Sequence, residues 1–185
     1  MKWRAVIVLV GALVGFVSTS RADHLPDNLQ AQGRPEKRLA GIRLNEQTKV
    51  SDVIKLYGRP TTVKAWESDE ANVSSSYDYY WVRRGLYLHV LVERLLRRNP
   101  RWEYVSLIEV NSQTTRKVAR TGKGLKVGDN LRDLQRIYGS RLKIRDIPKF
   151  KIHDVMIQWR GEEYSLVAML DRHNKITRLS LFAPE

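Results

Sequence analysis

A helix-ending pattern occurs twice in this 185-residue chain, as KLYGRP at 55–60 and as RIYGSR at 136–141. Apolar residues at helical spacing lead into both copies. They stand at positions 50, 53, 54 and 57 in the first and at 131, 134, 137 and 138 in the second. This spacing is typical of a helix that buries one face. Glycine favours the left-handed backbone that ends many helices. The pattern therefore predicts two short amphipathic helices that stop at Gly58 and Gly139.

The segments around the two helices also match each other. The first reads GIRLNEQTKVSDVIKLYG and the second GLKVGDNLRDLQRIYG, so that Gly41 aligns with Gly124. Thr48 is the expected N-terminal cap of the first helix and Asp129 that of the second, because their side-chain oxygens accept hydrogen bonds from free amides of the first turn. We interpret the match as a tandem duplication.

Segments of strand-like composition follow each helix, rich in β-branched and aromatic residues. Short connections at 83–85, 160–162 and 171–175 favour antiparallel hairpins. Helices of about nine residues do not hold alone in water, so each is expected to pack on its sheet. The predicted strands are 76–82, 85–93, 103–111, 152–159, 163–170 and 175–182, with 61–66 and 142–147 as further strands at the sheet edges.

These elements predict an α+β fold of two tandem repeats, each a short helical segment packed on an antiparallel β-meander sheet. The predicted organisation is a signal peptide at 1–22, a flexible N-terminal linker at 23–40, a first repeat at 41–111, a basic connector at 112–123 and a second repeat at 124–185.

The N-terminus has the layout of a secretory signal peptide. Lys2 and Arg4 precede an apolar run at 5–17, and the small residues Ser20 and Ala22 fit a cleavage site after Ala22. The run is short of the roughly 20 residues that span a bilayer. We expect an exported protein, periplasmic or secreted after cleavage near Ala22.

Charge and cysteine content narrow the class of protein further. The chain has 33 basic and 20 acidic residues, a formal charge of +13, and the chain without its first 22 residues keeps +10. It contains no cysteine, so disulfides, thiol chemistry and a lipid-modified N-terminal cysteine are excluded. Stability must come from burial, and the exported protein is basic.

The residues also carry a resemblance. The repeated Gly-aliphatic-x-aliphatic pattern, the helix ending in Tyr-Gly, the segment YDYYWVRRGLYLHV and the strand VSLIEV resemble the tandem repeat of secreted β-lactamase inhibitory proteins. They are also similar to the single unit of SmpA/OmlA-type (BamE-like) outer-membrane assembly lipoproteins. Over 41–182 the resemblance implies helical segments on one face of an antiparallel sheet, with the other face free to bind a protein.

The chain departs from both families. It lacks the cysteine that anchors the lipoproteins, and its hairpin tip at Arg83 and Arg84 is basic where the inhibitors carry a carboxylate. The resemblance therefore does not imply a β-lactamase target, and inhibition of another enzyme stays open.

Catalytic and metal-binding patterns are missing from the sequence. The histidines His24, His89, His153 and His173 have no metal-ligand spacing, and no nucleophile elbow, phosphate-binding loop or zinc-protease motif occurs. We expect no enzyme activity, no catalytic residue, no metal and no cofactor.

One candidate site is the sheet face that the first helix leaves uncovered. If Leu86, Leu88 and Val90 point to the helix, their neighbours in the strand point away. Exposed aromatic residues favour protein binding. Packing of the second repeat on this face, or a strand phase shifted by one residue, would change the assignment. The predicted protein-binding residues are Tyr80, Tyr87, His89, Leu91, Arg83 and Arg84.

The other candidate is a set of basic residues in an insert and in the connector, which suits a polyanion. Export favours an anionic lipid or polymer over nucleic acid as the ligand, and no nucleic-acid partner is expected. A solvated basic surface is the simpler alternative. The predicted polyanion-binding residues are Arg94, Arg97, Arg98, Arg101, Trp102, Arg116, Lys117 and Arg120.

The sequence thus predicts an exported, non-enzymatic protein-binding module of the cell envelope, an inhibitor or assembly factor that binds through the helix-free sheet face. The alternative is a polyanion or membrane-surface binder that uses the arginines. The sequence does not specify the identity of the protein partner or the oligomeric state.

Overall fold

The computed structural model describes most of the chain after residue 30. The described residues are 31, 34–44, 48–66, 75–93, 102–112, 120–140, 142–148, 152–159 and 164–183, with the backbone alone at 75, 91–93, 102–104 and 143. They include the helices α1 (Val50–Tyr57) and α2 (Leu131–Tyr138). The strands are β1 (Arg38–Leu39), β2 (Ile42–Arg43), β3 (Thr62–Trp66), β4 (Ser75–Trp81), β5 (Leu86–Glu93), β6 (Trp102–Asn111), β7 (Lys143–Ile147), β8 (Ile152–Gln158), β9 (Ser165–Leu170) and β10 (Ile176–Phe182).

Eight of these strands form one antiparallel sheet in the order β3-β4-β5-β6-β10-β9-β8-β7, while β1 and β2 pair with each other. The strands after each helix were all predicted, and β3 and β7 lie at the sheet edges as expected. In the middle, β6 pairs with β10, with Ile108 opposite Leu181 and Leu107 opposite Phe182. The α+β class is confirmed, and its main feature is this large sheet.

The hydrophobic core lies on one face of the sheet. Both helices contribute to it, α1 through Val50, Val53 and Tyr57 and α2 through Leu134 and Tyr138. Alternate strand residues meet them, so the period-two pattern of the strands directs one set of side chains into the core. The core members on the strands include Trp81, Leu86, Leu88, Val90, Val105, Ile108, Val110, Val155, Ile157, Leu166, Ala168, Leu179 and Leu181.

The helices begin differently from the prediction. Lys49 is the N-terminal cap of α1 and makes no side-chain cap bond, because a lysine side chain has no acceptor. The Thr48 hydroxyl, predicted to cap this helix, donates to the Arg43 carbonyl at 2.6 Å. In α2 the cap is Asn130, whose Oδ1 accepts from the amides of Arg132 and Asp133. Asp129 accepts from the Lys126 amide in the turn before it. Among the described residues, no helix has both the length and the hydrophobicity to cross a bilayer.

Both helices end as predicted, at a glycine whose amide donates to the fourth residue before it. Gly58 has φ +78° and ψ −173°, and Gly139 has φ +100° and ψ +165°. This combination of a positive φ and an extended ψ is available almost only to glycine.

Part of the predicted N-terminal linker is folded. Leu39 and Ala40 lie fully in the core, and Ala31 pairs in parallel with Trp159. Glu36 is buried because its carboxylate accepts hydrogen bonds from the Lys123 amide at 3.1 Å and from the Tyr138 hydroxyl at 3.2 Å. The boundary expected at residue 40 was therefore too late, since this segment packs against the residues that precede and end α2.

Candidate functional site

The sheet face opposite the helices, called the helix-free face below, carries rows of side chains that run across the strands. Strand register fixes which residues are neighbours in each row. One row is Lys64, Asp78, His89, Leu107, Phe182, Ser165 and Gln158. The next is Thr62, Tyr80, Tyr87, Glu109, Ser180, Val167 and Met156, and the third is Asn111, Arg178, Met169, Asp154 and Arg145.

Asp78 on β4 is the centre of a polar and aromatic network on this face. Its Oδ1 accepts from the Tyr87 hydroxyl at 2.8 Å and lies 2.6 Å from His89 Nδ1. Its Oδ2 accepts from Trp66 Nε1 at 2.9 Å and from the Tyr80 hydroxyl at 3.3 Å. The carboxylate is only 5% exposed because these partners surround it. We call Lys64, Trp66, Asp78, Tyr80, Tyr87 and His89 the Asp78 patch.

The network holds Asp78 in its ionised form. Burial alone raises the pKa of a carboxyl, but here the hydrogen bonds from His89, Trp66 and Tyr87 outweigh it and hold the pKa of Asp78 below its usual value. Since an ionised carboxylate only accepts, the Nδ1 atom of His89 carries the proton of their shared hydrogen bond. The Nε2 atom of this ring is then the one left for other contacts.

The pKa values of the two tyrosines are raised, whereas that of Asp78 is lowered. Burial first, and the Asp78 carboxylate second, raise the pKa of Tyr80 to about 12. The same causes raise the pKa of Tyr87 further. The rings stack with centroids 4.9 Å apart, and both phenols stay protonated donors to Asp78.

A second carboxylate, Glu109 on β6, lies next to the patch. It accepts from the Ser180 hydroxyl at 3.0 Å and pairs with Arg178, whose Nε is 3.4 Å from Glu109 Oε1. Burial raises the pKa of Glu109, although Arg178 and Ser180 oppose that shift. Unlike Asp78, this carboxylate has an arginine as its partner.

Farther along the helix-free face, apolar side chains replace the network. Partly exposed apolar side chains on strands β6, β8, β9 and β10 are Leu107, Met156, Val167, Met169 and Phe182. At the β7 edge, Arg145 forms a bidentate ion pair with Asp154, in which Nε donates to Oδ1 and an Nη2 hydrogen to Oδ2. The face therefore combines a polar aromatic end, an apolar middle and a charged edge.

The structure places the predicted protein-binding residues in different surroundings. Tyr80 and His89 lie on the helix-free face and are partly exposed, while Leu86, Leu88 and Val90 are in the core. The exposure expected of Tyr87 is wrong: it is 7% exposed, because Tyr80 stacks on it and its hydroxyl is bound to Asp78. Leu91 is on β5, but its side chain lies outside the described atoms.

Arg83 and Arg84 form an exposed 3₁₀ turn between β4 and β5, before Gly85 in the left-handed conformation. They lie at the end of the hairpin, as expected from the sequence.

Most of the predicted polyanion site falls outside the described residues. This holds for Arg94, Arg97, Arg98, Arg101, Arg116 and Lys117, and for the side chain of Trp102, whose backbone begins β6. Arg120 is exposed, and its carbonyl accepts from the Ala40 amide at 2.9 Å.

Sequence reasoning missed the residues that organise the face, namely Asp78, Trp66, Glu109 and Arg178. The signal for Asp78 was present, since it is the one charged residue inside the aromatic strand segment SYDYYW. Three of its four partners, Trp66, Tyr87 and His89, come from β3 and β5, and pairing register is not written in a local pattern.

The three histidines in the described ranges have separate side-chain partners. His153 lies 2.6 Å from Asp146, His173 accepts from its neighbour Arg172, and His89 belongs to the Asp78 patch. Within the described ranges no group of three metal-binding side chains occurs.

Comparisons with known proteins give little beyond this geometry. No family model and no curated protein sequence matches the chain. A solved structure with a distant likeness is that of a DUF4309 family protein (YjgB) from Bacillus subtilis, with 16% identity and a TM-score of 0.39 over 80% of this chain and 87% of that one. At this TM-score the likeness supports no conclusion on fold or function.

Proposed function

We propose that this protein is an exported, non-enzymatic module of the cell envelope that binds another protein through the helix-free face. One observation carries the proposal. The helices α1 and α2 and the hairpin β1–β2 all send their buried side chains into the core on the other face. The elements within the described ranges thus leave the helix-free face as a broad surface of aligned side chains for a partner.

The composition of the face suits protein recognition. Its polar end presents Trp66, which is 53% exposed, together with Tyr80 and His89. Aromatic side chains with a polar group give large contact area at low entropy cost, and they are enriched at interface hot spots. The hydrogen bonds of Asp78 hold these rings in place before binding, which reduces the ordering cost of association.

We also propose that the two halves arose by tandem duplication. In each half the tyrosine that ends the helix packs on a tryptophan at the end of the second strand. The centroids are 6.5 Å apart for Tyr57 and Trp81 and 6.0 Å apart for Tyr138 and Trp159. Gly41 and Gly124, aligned in the sequence, both have positive φ.

The alternative function is binding of an anionic lipid or polymer through basic side chains. The charge of +13 and the exposed Arg83, Arg84 and Arg120 favour it. Such binding depends on exposed charges, so it weakens strongly as salt rises, whereas apolar contacts persist. Salt therefore separates the two functions.

The direct experiment is capture of the partner. The full chain with a C-terminal tag is expressed in its source organism, recovered from the envelope fraction and washed at about 1 M salt, where the Debye length is about 3 Å. We expect one protein in stoichiometric amount to remain. Lipid or polymer that elutes in salt, with no protein retained, would support the alternative function instead.

Paired variants connect the captured protein to the face. Trp66→Ala with Tyr80→Ala removes two partly or largely exposed rings and should lose the partner. The matched control, Leu56→Ala with Val82→Ala, changes exposed apolar side chains on α1 and in the β4–β5 turn, outside the Asp78 patch, and should keep the partner. Equal recovery with both pairs of changes would contradict the proposed binding face.

The same preparation tests export. If the signal peptide is cleaved as predicted, the N-terminal residue of the recovered protein is Asp23. Intact chains that start at Met1 in the cytoplasmic fraction would contradict the envelope location.

A further inference from the structure

The Asp78 patch carries a negative charge that its surroundings only partly balance. Of the four donors to the carboxylate, Trp66, Tyr80 and Tyr87 are uncharged, and the fourth is the His89 ring. The neighbouring Glu109 has Arg178 as a partner, but in the described part of the chain no arginine pairs with Asp78. A positive charge brought to this patch is attracted by the carboxylate through a partly desolvated environment.

The patch already holds a cation of its own. Lys64 Nζ lies 5.6 Å from the centroid of the Tyr80 ring, near the outer limit of a cation–π contact. Beside it the Trp66 indole is largely exposed, while its N–H is fixed on Asp78. The ring faces that surround the carboxylate are therefore placed to accept a positive group from outside.

The negative charge of the Asp78 patch is opposite in sign to the net charge of the whole molecule. The chain has a formal charge of +13 and exposes arginines at the end of the β4–β5 hairpin. Long-range attraction thus favours an acidic partner, while the patch favours a cation at one defined place. A negatively charged patch on a positively charged molecule discriminates among acidic proteins. Only a partner that places a positive group at this patch gains the local attraction.

We propose that the Asp78 patch receives a basic side chain of the bound protein, arginine or lysine, against the Trp66 and Tyr80 rings. This inference rests on the proposed function, since it names the chemistry of the partner at the same face. The incoming group displaces Lys64 from Tyr80 and lies above the Asp78 carboxylate without replacing its hydrogen bonds.

The probe is the peptide acetyl-Gly-Arg-Gly-amide, titrated at pH 8 and low salt into the isotope-labelled full chain. The indole N–H resonance of Trp66, assigned by its loss in Trp66→Phe, reports binding. We expect a saturable shift at millimolar peptide. The citrulline analogue, with the same shape and no charge, should bind about two- to fivefold more weakly, the factor that an exposed cation–π contact contributes.

Variants that change one charge test whether the patch attracts the arginine peptide electrostatically. Lys64→Gln removes the resident cation and should strengthen arginine-peptide binding about two- to fivefold. Asp78→Asn should weaken it. The matched controls Lys55→Gln and Asp52→Asn make the same charge changes on α1, at an exposed ion pair on the other face, and should leave binding unchanged.

Lys64→Gln is the deciding variant, because it alters only an exposed side chain whereas Asp78→Asn also disturbs the network. Citrulline binding equal to that of arginine, weaker binding in Lys64→Gln, or no saturable shift with the arginine peptide would overturn the inference. If a protein is captured through this face and the arginine peptide does not bind, the inference about the Asp78 patch is wrong and the proposed function stands. If the peptide binds and no protein is captured, the proposed function is wrong.

Discussion

Asp78 shows how a single carboxylate can be held inside a sheet face. Its four donors come from strands β3, β4 and β5, so the network ties the edge strand β3 to the next two strands of the sheet. Hydrogen bonds to a charged group are stronger than those between neutral groups. The ionised state of one residue therefore stabilises the packing of three strands.

Acid should weaken this network before it affects the core. Because the pKa of Asp78 is lower in the folded chain than in the unfolded one, its contribution to stability is complete above the unfolded value of about 3.9 and is lost as pH falls through the folded value. Urea unfolding of the wild type and of Asp78→Asn, between about pH 3 and 7, should show a stability difference that shrinks toward acid.

Glu109→Gln provides a control of opposite sign. The pKa of Glu109 is raised in the folded chain, chiefly by burial, so its favourable contribution is present below the unfolded value and is lost as pH rises through the folded value. The wild type should therefore lose stability relative to Glu109→Gln as pH increases. The same trend in both variants would contradict the assigned pKa directions.

At the scale of elements, the backbone at the helix ends explains the repeated Tyr-Gly. An added Cβ at Gly58 or Gly139 meets no atom within 4 Å, so the requirement for glycine comes from the backbone angles and not from crowding. Both angles lie in the region that other residues enter only at a cost. The two glycines thus have equivalent roles in the two halves.

Gly58→Ala and Gly139→Ala should each lower the free energy of unfolding by about 1–3 kcal/mol, the cost of this strained backbone region. Urea denaturation measures the change, and the exposed neighbour Arg59→Ala is the matched control. If the alanine variants at both glycines are as stable as the control, the backbone explanation is wrong.

The helix starts give a second prediction at this scale. Asn130→Ala removes a capping box from α2 and should lower the free energy of unfolding by about 1 kcal/mol. Lys49→Asp supplies α1 with the side-chain cap that the helix lacks, and should raise the free energy of unfolding by a similar amount. Thermal unfolding followed by circular dichroism measures both. A loss of stability in Lys49→Asp would contradict the assignment of this residue as the cap.

Local elements were predictable because their signals are local. The helix stops, the strands and the edge positions follow from spacing and composition. Whether Asn130 or Asp129 caps α2 depends on the residue at which the helical backbone begins. The two side chains are both good caps, so composition does not decide between them. The burial of Tyr87 depends on Asp78 and Tyr80 across a strand pair, and the burial of Glu36 on residues from Lys123 to Tyr138. Such contacts between distant segments leave no periodic trace in the sequence.

At the scale of the whole molecule, β6 and β10 join the two halves into one sheet over one core. Leu181 and Ile108 face each other on these strands, and both are fully buried. The sequence predicted two units and left open how they meet. In the described residues β6 and β10 pair with each other, and the buried side chains of α1 and α2 lie in the core on the opposite face from the helix-free face.

Because the halves share this junction, they should unfold together. Leu181→Ala should lower the free energy of unfolding by about 2–5 kcal/mol, the range for a buried leucine, and keep a single transition. Hydrogen exchange of peptides from β5 and from β9 should show equal losses of protection. The exposed Val82→Ala is the control. Two separate transitions, or a loss confined to β9, would show that the halves are independent.

The position of β10 in the sheet has a consequence for biosynthesis. This strand leaves the ribosome last among the ten, yet it belongs in the centre of the sheet, beside β6. While α2 and the strands β7 to β9 are translated, the nascent β6 has one side unpaired and open to wrong strands. Completion of the fold therefore waits for the final strand, and until β10 is made the free edge of β6 can pair with a wrong strand or with another chain.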